Sequence, residues 1–349
     1  MLKFSKIAMK TNTHQFNWDI CGHGKIVYFL QSSIDSDSVS HAYLLTGPSH
    51  LGKETVARKF IASLLCTDKV KNLPCGGCLN CRQLQSGLHP DFYTVEKEVN
   101  IKTEKLRKEI VIDQIRNLKY KLSQATLFNG YKAALITEAH LMNLSAANAL
   151  LKVLEEPTKN TVIIILADDL SNLPQTILSR CQVLRFLPVA HSGIKSYLEK
   201  IKVKDADLIA RQAHGRPGLA LNLANDKEFA KASKNNIDSF FQATTADLNS
   251  RLALVDKIVD WDKDEAINVS KLNSLLETWQ TVIRDIILIK SANEPLVANA
   301  KYLPQLKELS SAWDFFKIRF ILNKINQCPD YLFSNINSKS VLENLIINL

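Results

Sequence analysis

The hydrophobic pattern in the middle of the chain consists of two short apolar runs on either side of an amphipathic stretch. The runs Ala133–Ile136 and Val162–Ala167 are rich in Ile, Leu, Val and Ala, which is typical of buried parallel strands. Between them, apolar residues recur at helical spacing from Ala147 to Leu154. Pro157 ends this helix, because the residue before a proline avoids the α region. Strand, helix and strand in this order predict a parallel sheet covered by helices.

A second pattern of this kind begins at residue 42. The apolar run Ala42–Leu45 leads into a glycine-rich turn from Gly47 to Gly52 and Lys53, and a helical pattern follows. This is the context of a P-loop, G-x-x-x-x-G-K. Backbone N–H groups would hold phosphate oxygens, and Lys53 would reach the terminal phosphates. The alternative is a glycine-rich turn without a ligand.

The residue after Lys53 departs from the P-loop pattern. A Ser or Thr hydroxyl binds Mg²⁺ at this position in P-loop proteins, and here the residue is Glu54. Thr55 lies about 100° further around the helix and cannot take over this role. We therefore predict an impaired phosphate site, in which the binding of ATP and Mg²⁺ is in doubt.

Four of the seven cysteines form a cluster, with the spacing C-x8-C-x2-C-x2-C: Cys66, Cys75, Cys78 and Cys81. Four thiolates suit a closed, structural Zn²⁺ site without an open coordination position. An iron–sulfur cluster also takes four cysteines, and free thiols are a third possibility. Nothing else in the sequence indicates redox chemistry, so the cluster predicts structural zinc.

Length and composition fit a globular protein of two or three domains. The chain has 349 residues, of which 46% are hydrophobic and 23% charged. No window approaches the about 18 uninterrupted apolar residues of a transmembrane helix, and the segment from Met1 to Phe16 lacks the apolar region of a secretory signal. We expect a cytoplasmic protein without a membrane partner. The net charge of +9 is compatible with an anionic partner such as nucleic acid.

Together with further motifs, these features resemble the clamp-loader subunits of bacterial DNA polymerase III, which are AAA+ proteins. Besides the P-loop and the four cysteines, the matching segments are Trp18–His23, His41–Leu44, His89–Tyr93, Ile112–Arg116, Asn143–Pro157 and Ser179–Cys181. They span residues 18–181 in the order of the family. A cysteine cluster inside a P-loop module, followed by A-N-A-L-L-K-x-L-E-E-P and S-R-C, is very specific to this family.

The resemblance implies three domains. The first, residues 1–188, is an α/β P-loop AAA+ module with a parallel sheet, helices on both faces and a zinc-binding insertion at 66–81. A small helical lid follows at 189–235, and an all-helical collar domain at 236–349.

Within the family, the sequence resembles the delta prime type more than the ATPase motor type, gamma/tau. The Walker B strand of a motor ends in Asp-Glu, where Asp holds Mg²⁺ and Glu orients the attacking water. Here the pair is Thr137 and Glu138, and Gly218 stands where motors carry a sensor arginine. Together with Glu54, these changes imply poor or absent ATP hydrolysis. An active gamma/tau-type motor is the alternative, and a zinc-containing nucleic-acid-binding protein that acts alone is a third interpretation.

Arg180 is the catalytic group that the resemblance leaves intact. Within S-R-C it is implied to be an arginine finger that reaches the ATP of a neighbouring subunit in trans, since a guanidinium binds phosphate oxygens bidentately. The alternative is an ion pair with a nearby carboxylate. The resemblance further implies a hetero-oligomer with gamma/tau and delta subunits, which loads the sliding clamp onto primed DNA. This assembly is a component of the DNA polymerase III holoenzyme, a nucleotidyltransferase.

Overall fold

The structure is a computed structural model, and it divides the chain into two compact units. It describes residues 14–68, 72–99, 107, 109–128, 130–171, 173–259, 261–262, 264–334 and 336–349. The first unit ends at Val189 and the second continues from Ala190. Most of the segment from Met1 to Phe16, which we predict not to be a secretory signal, lies outside the described residues. Among the helices described, none combines the length and the apolar character needed to cross a membrane.

The first unit is built on a parallel sheet. Its described strands are β1 (Gln15–Phe16), β2 (Ala42–Thr46), β3 (Asn72–Leu73), β4 (Phe92–Val95), β5 (Lys132–Ile136), β6 (Thr161–Ala167) and β7 (Gln182–Arg185). Five of them form the main sheet in the order β4-β5-β6-β2-β7, and every neighbouring pair is parallel. β1 and β3 pair separately, also in parallel. All residues of β2, β5 and β6 are buried, as the apolar runs predict.

Helices cover both faces of this sheet. They are α1 (Gly24–Asp35), α2 (Lys53–Leu65), α3 (Leu79–Gln85), α4 (Ile112–Ser123), α5 (Leu144–Glu155) and α6 (Gln175–Leu178), with a 3₁₀ helix at Ala139–Leu141. Because side chains alternate along a strand, each strand contributes to two cores. Leu45 and Ile164 pack against α1 and α2 on one face. Leu44 and Ile163 pack against α4 and α5 on the other. The predicted fold class, an α/β module with a parallel sheet and helices on both faces followed by a helical region, is confirmed.

From Ala190 onward the described residues form helices and loops. The helices are α7 (His191–Lys200), α8 (Ala206–Gln212), α9 (Pro217–Asn225), α10 (Lys227–Thr245), α11 (Leu248–Ile258), α12 (Glu265–Lys290), α13 (Leu303–Ala312), α14 (Phe315–Phe333) and α15 (Ser338–Ile347), with 3₁₀ helices at Glu294–Leu296 and Ala300–Tyr302. Trp279 is fully buried at the centre of their core, with its ring centroid 5.5 Å from that of Phe240. The division into lid and collar stays a prediction. Residue 235, where we placed it, lies inside α10, so a domain border would have to fall at one end of this helix.

Candidate functional site

The glycine-rich turn lies at the carboxyl end of β2 and leads into α2. Gly47 has φ 137°, and a Cβ at this position would lie 2.3 Å from the carbonyl oxygen of Phe186. Gly52 is the N-cap of α2 in the left-handed region, with φ 86°. Both positions therefore require glycine, one for close approach and one for its conformation. The P-loop spacing corresponds to a strand, turn and helix in the structure.

Lys53 is buried in this turn, and its ammonium group donates hydrogen bonds to three acceptors. It donates to the carboxylate of Asp168 at 2.7 Å, to the carbonyl of Pro48 at 2.8 Å and to the carbonyl of Gly47. A lysine has three N–H donors, so a phosphate would have to displace one of these acceptors or share a donor with it. Sequence reasoning missed Asp168. The available signal was an acidic residue directly after a buried strand, since β6 lies next to β2.

Glu54 has an ion-pair partner within its own helix. Its carboxylate accepts from Nε of Arg58 at 2.7 Å, and both side chains are about half exposed. Thr55 and Glu54 line a cleft together with Cys81 of α3.

Glu138 follows β5 at the carboxyl edge of the sheet, in a left-handed conformation with φ 48°. Its carboxylate lies 3.2 Å from Nζ of Lys97. The hydroxyl of Thr137, which stands in the Asp position, donates to the carbonyl of Val95 at 3.4 Å. Lys97 was also missed by sequence reasoning. The strand β6 separates β5 from the P-loop strand, so Glu138 is one strand further from the turn than Asp168.

Burial lowers the pKa of His140, which lies between these groups. The charges of Asp168 and Glu138 act in the opposite direction and raise this pKa. Nδ1 of His140 accepts from the backbone N–H of Asp168 at 3.4 Å. A neutral His140 can accept this hydrogen bond, whereas a protonated ring offers no acceptor. His140 thus contacts Asp168, the residue that holds Lys53.

Arg180 follows α6 and forms an ion pair with the end of α5. Its Nη2 lies 2.8 Å from Oε1 of Glu155, and its Nη1 donates to the carbonyl of Thr176 at 3.1 Å. The ion pair that we considered as the alternative is therefore present. The side chain of Arg180 is 36% exposed and that of Glu155 is 48% exposed. Solvent screens such a pair strongly, so the guanidinium is accessible to a stronger anionic partner.

The four cysteines of the cluster lie together beside α2 and α3. All four sulfur atoms are within 4.8 Å of one another. Two pairs, Cys66 with Cys78 and Cys75 with Cys81, have sulfur distances of 3.9 Å. Four sulfurs bound at about 2.3 Å around a tetrahedral Zn²⁺ would be about 3.8 Å apart. The cluster can therefore hold a metal ion with little movement.

The local hydrogen bonds also prepare the cluster for an ion. The backbone N–H of Cys78 donates to the sulfur of Cys75 at 3.3 Å, and that of Cys81 to the sulfur of Cys78 at 3.4 Å. Burial raises the pKa of the Cys66 and Cys81 thiols. At Cys78, burial acts in the same direction, but hydrogen bonds from Thr67 and Cys81 outweigh it and lower the pKa to about 5. A thiolate at Cys78 is the form that binds a metal.

Comparison with known proteins agrees with this geometry. The family model described as "DNA polymerase III, delta subunit" matches residues 22–190. The delta prime subunit of DNA polymerase III from Bacillus subtilis is 27% identical over 328 residues, which cover 93% of the chain and 95% of that protein. The chain is therefore similar to clamp-loader subunits of DNA polymerase III over most of its length. The predicted resemblance is thus confirmed.

Two further relatives match shorter segments of the chain, and a solved structure matches most of it. The delta prime subunit from Pseudomonas aeruginosa is 41% identical over 142 residues, 41% of the chain and 42% of that protein. The gamma subunit from Buchnera aphidicola of Acyrthosiphon pisum is 30% identical over 230 residues, 64% of the chain and 61% of that protein. A solved structure of a gamma-subunit-related protein from Thermotoga maritima covers 91% of the chain and 97% of its own, at 17% identity and a TM-score of 0.49.

Proposed function

We propose that this clamp-loader subunit is of the delta prime type. Its own phosphate site does not hydrolyse ATP, and Arg180 acts as an arginine finger on the ATP of a neighbouring subunit. The observation that carries the proposal is the loss of both protein ligands for Mg²⁺. Glu54 and Thr137 stand in their places, and each has an intramolecular hydrogen-bond partner instead.

The state of Lys53 supports an inactive site. A working P-loop needs its lysine on the β- and γ-phosphates and a metal that bridges the same oxygens. Here Asp168 neutralises the lysine. Glu54 and Thr137 replace the hydroxyl and the Walker B aspartate that would bind Mg²⁺. Without a bound Mg²⁺, nothing offsets the repulsion between the phosphates of ATP and the carboxylate of Asp168.

The remaining parts of the proposal follow from the similarity to clamp-loader subunits. The subunit joins gamma/tau and delta subunits in a hetero-oligomer, which places the sliding clamp on primed DNA. Zn²⁺, bound by the four cysteines of the cluster, is structural. The relatives named delta prime, one of which aligns over 95% of its length, support the subunit type.

An active motor of the gamma/tau type is the second candidate. The 30% identity with a gamma subunit over 230 residues favours it. It requires ATP to bind at Lys53 despite Asp168, and Glu138 to act although Lys97 pairs with it.

An ATPase measurement on the isolated full chain separates the two candidates. We expect no turnover above background with saturating ATP and Mg²⁺, because both protein contacts to the metal are missing. The matched variant Lys53→Ala should give the same trace as the wild type. A turnover on the order of 1 s⁻¹, typical of working enzymes, that disappears in Lys53→Ala would establish the motor type instead.

A further inference from the structure

Helix α14 exposes three phenylalanines at its start. Phe315, Phe316 and Phe320 are 58%, 84% and 47% exposed, whereas Ile318 and Ile321 on the opposite face are buried in the core. Phe316 and Phe320 are four residues apart and share one face of the helix. We call Phe315, Phe316 and Phe320 the aromatic surface of α14. Packing against the described residues does not explain it, because these rings lie on the solvent side.

Cationic groups lie directly beside these rings. Nζ of Lys290, at the end of α12, is 5.6 Å from the ring centroid of Phe315. Nζ of Lys324 is 5.6 Å from the centroid of Phe320. Before Asp330, the residues of α14 itself include three cations and no acid: Lys317, Arg319 and Lys324. The surface thus combines aromatic faces with neighbouring positive charges.

We propose that the aromatic surface of α14 binds single-stranded nucleic acid. Bases stack on aromatic side chains while neighbouring cations contact the phosphates, and this combination binds strands with little sequence preference. Protein interfaces are also enriched in phenylalanine, but their buried centres are depleted in lysine. Lys290 and Lys324 lie directly beside these rings, which favours a strand over a protein partner. A duplex is also a poorer fit, because its bases already stack on one another. The inference goes beyond the proposed function, because this contact with nucleic acid needs no ATP, clamp or second subunit.

The aromatic surface of α14 is held in place before any nucleic acid binds. Lys290 is anchored by a hydrogen bond from Nζ to the carbonyl of Ser310 at 2.8 Å. The nearest acid in the sequence, Asp314, caps the helix by accepting from the N–H of Lys317 at 2.7 Å. The buried isoleucines fix the helix on the core. Little ordering is therefore required on binding, which favours affinity.

Fluorescence anisotropy with the full chain and a labelled oligothymidylate of about 20 nucleotides tests the proposal. We expect Phe316→Ala to weaken binding roughly fivefold or more, the effect of losing one stacked base. Phe316→Trp should retain binding, and Phe316→Leu, which is apolar but has no ring, should resemble the alanine variant. Lys324→Ala should reduce the dependence of log K on log salt by about 0.7, the value for one phosphate contact on a single strand.

The matched control is Phe333→Ala. Phe333 is 72% exposed at the far end of the same helix, beyond Asp330, and its removal should leave the affinity unchanged. Because these side chains are exposed, the variants should unfold at the wild-type temperature. Any of four results overturns the proposal: no binding of the oligothymidylate by the wild type, equal affinity with Phe316→Ala, an equal loss with Phe333→Ala, or full binding with Phe316→Leu. If Phe316→Ala instead prevents co-purification with another clamp-loader subunit and leaves strand binding intact, the surface is a protein interface.

Discussion

Lys53 illustrates how one residue can keep the position that a motif predicts and yet serve another purpose. Its charge is balanced by Asp168, and its remaining donors bind carbonyls of its own turn. A buried ammonium needs such partners, because burial without them disfavours the charged form. In a motor, phosphates would supply the balancing charge. Here the protein supplies it, so the glycine-rich turn is stable without a nucleotide.

The cationic environment of His214, beside Arg284 and Arg216, predicts a dependence of stability on pH. His214 lies before α9 with φ 49°, and its Nδ1 is 3.4 Å from Nη1 of Arg284. Burial, with the charges of Arg284 and Arg216, lowers its pKa to about 4. The unfolded chain, with an ordinary pKa of about 6.5, binds more protons between these two values. The contribution of neutral His214 is therefore fully present above about pH 6.5 and declines as pH falls toward 4.

Denaturant unfolding at pH 7 and at pH 4.5 measures this decline. His214→Asn is the informative variant, because Asn tolerates the left-handed conformation and does not titrate. The wild type should lose more stability between the two pH values than the variant does. The same loss in both proteins would show that other groups cause the acid sensitivity.

At the scale of elements, the segment that carries the four cysteines, residues 66–81, leaves the sheet. Its described residues make few apolar contacts. The buried residues of its own small cluster are Cys66, Leu73 and Cys81. Such a cluster buries too little apolar surface to hold a loop, and a metal can replace the missing core. Asn80 adds one anchor, since its side chain donates to the carbonyl of Leu65 at 2.8 Å.

We expect the purified chain to contain about one Zn²⁺ per molecule, held by the four cysteines. Cys78→Ser should release the metal and expose the loop to protease, while the sheet keeps its circular dichroism signal. Cys181→Ser, at a half-buried cysteine outside the cluster, should retain full metal content. Metal analysis of protein purified without chelators measures the zinc content and tests this prediction. Absence of stoichiometric zinc, or strong absorbance of an iron–sulfur cluster, would contradict the assignment.

For the molecule as a whole, the sequence predicts what depends on local pattern. The strands β5 and β6, the helix α5 between them and the cysteine cluster all follow from spacing and composition, and the structure has them at these positions. The partners Asp168, Lys97 and Glu155 could not be predicted in the same way. Each contact joins residues that are distant in sequence and is formed by the order of the strands or the packing of two segments. The cation beside Phe315 belongs to the same class, because Lys290 comes from another helix.

The proposed role in an assembly rests on Arg180, which Glu155 and Thr176 orient in the single chain. A surface ion pair of this kind contributes roughly 0–1 kcal/mol, whereas arginine fingers change NTPase rates by about 10³–10⁵-fold. The phosphates of a neighbour can therefore take over the guanidinium without a large penalty. Arg180→Ala should leave folding, zinc content and assembly near those of the wild type.

The most direct test is the DNA-stimulated ATPase of the loader reconstituted with gamma/tau and delta subunits, compared between Arg180→Ala and Lys53→Ala in this chain. We predict a partial loss with Arg180→Ala, because the other motor sites would receive arginines from other subunits, and a much smaller change with Lys53→Ala. Clamp loading onto primed DNA should follow the same order. A wild-type rate with Arg180→Ala, or equal losses with the two substitutions, would contradict the trans-acting role of Arg180.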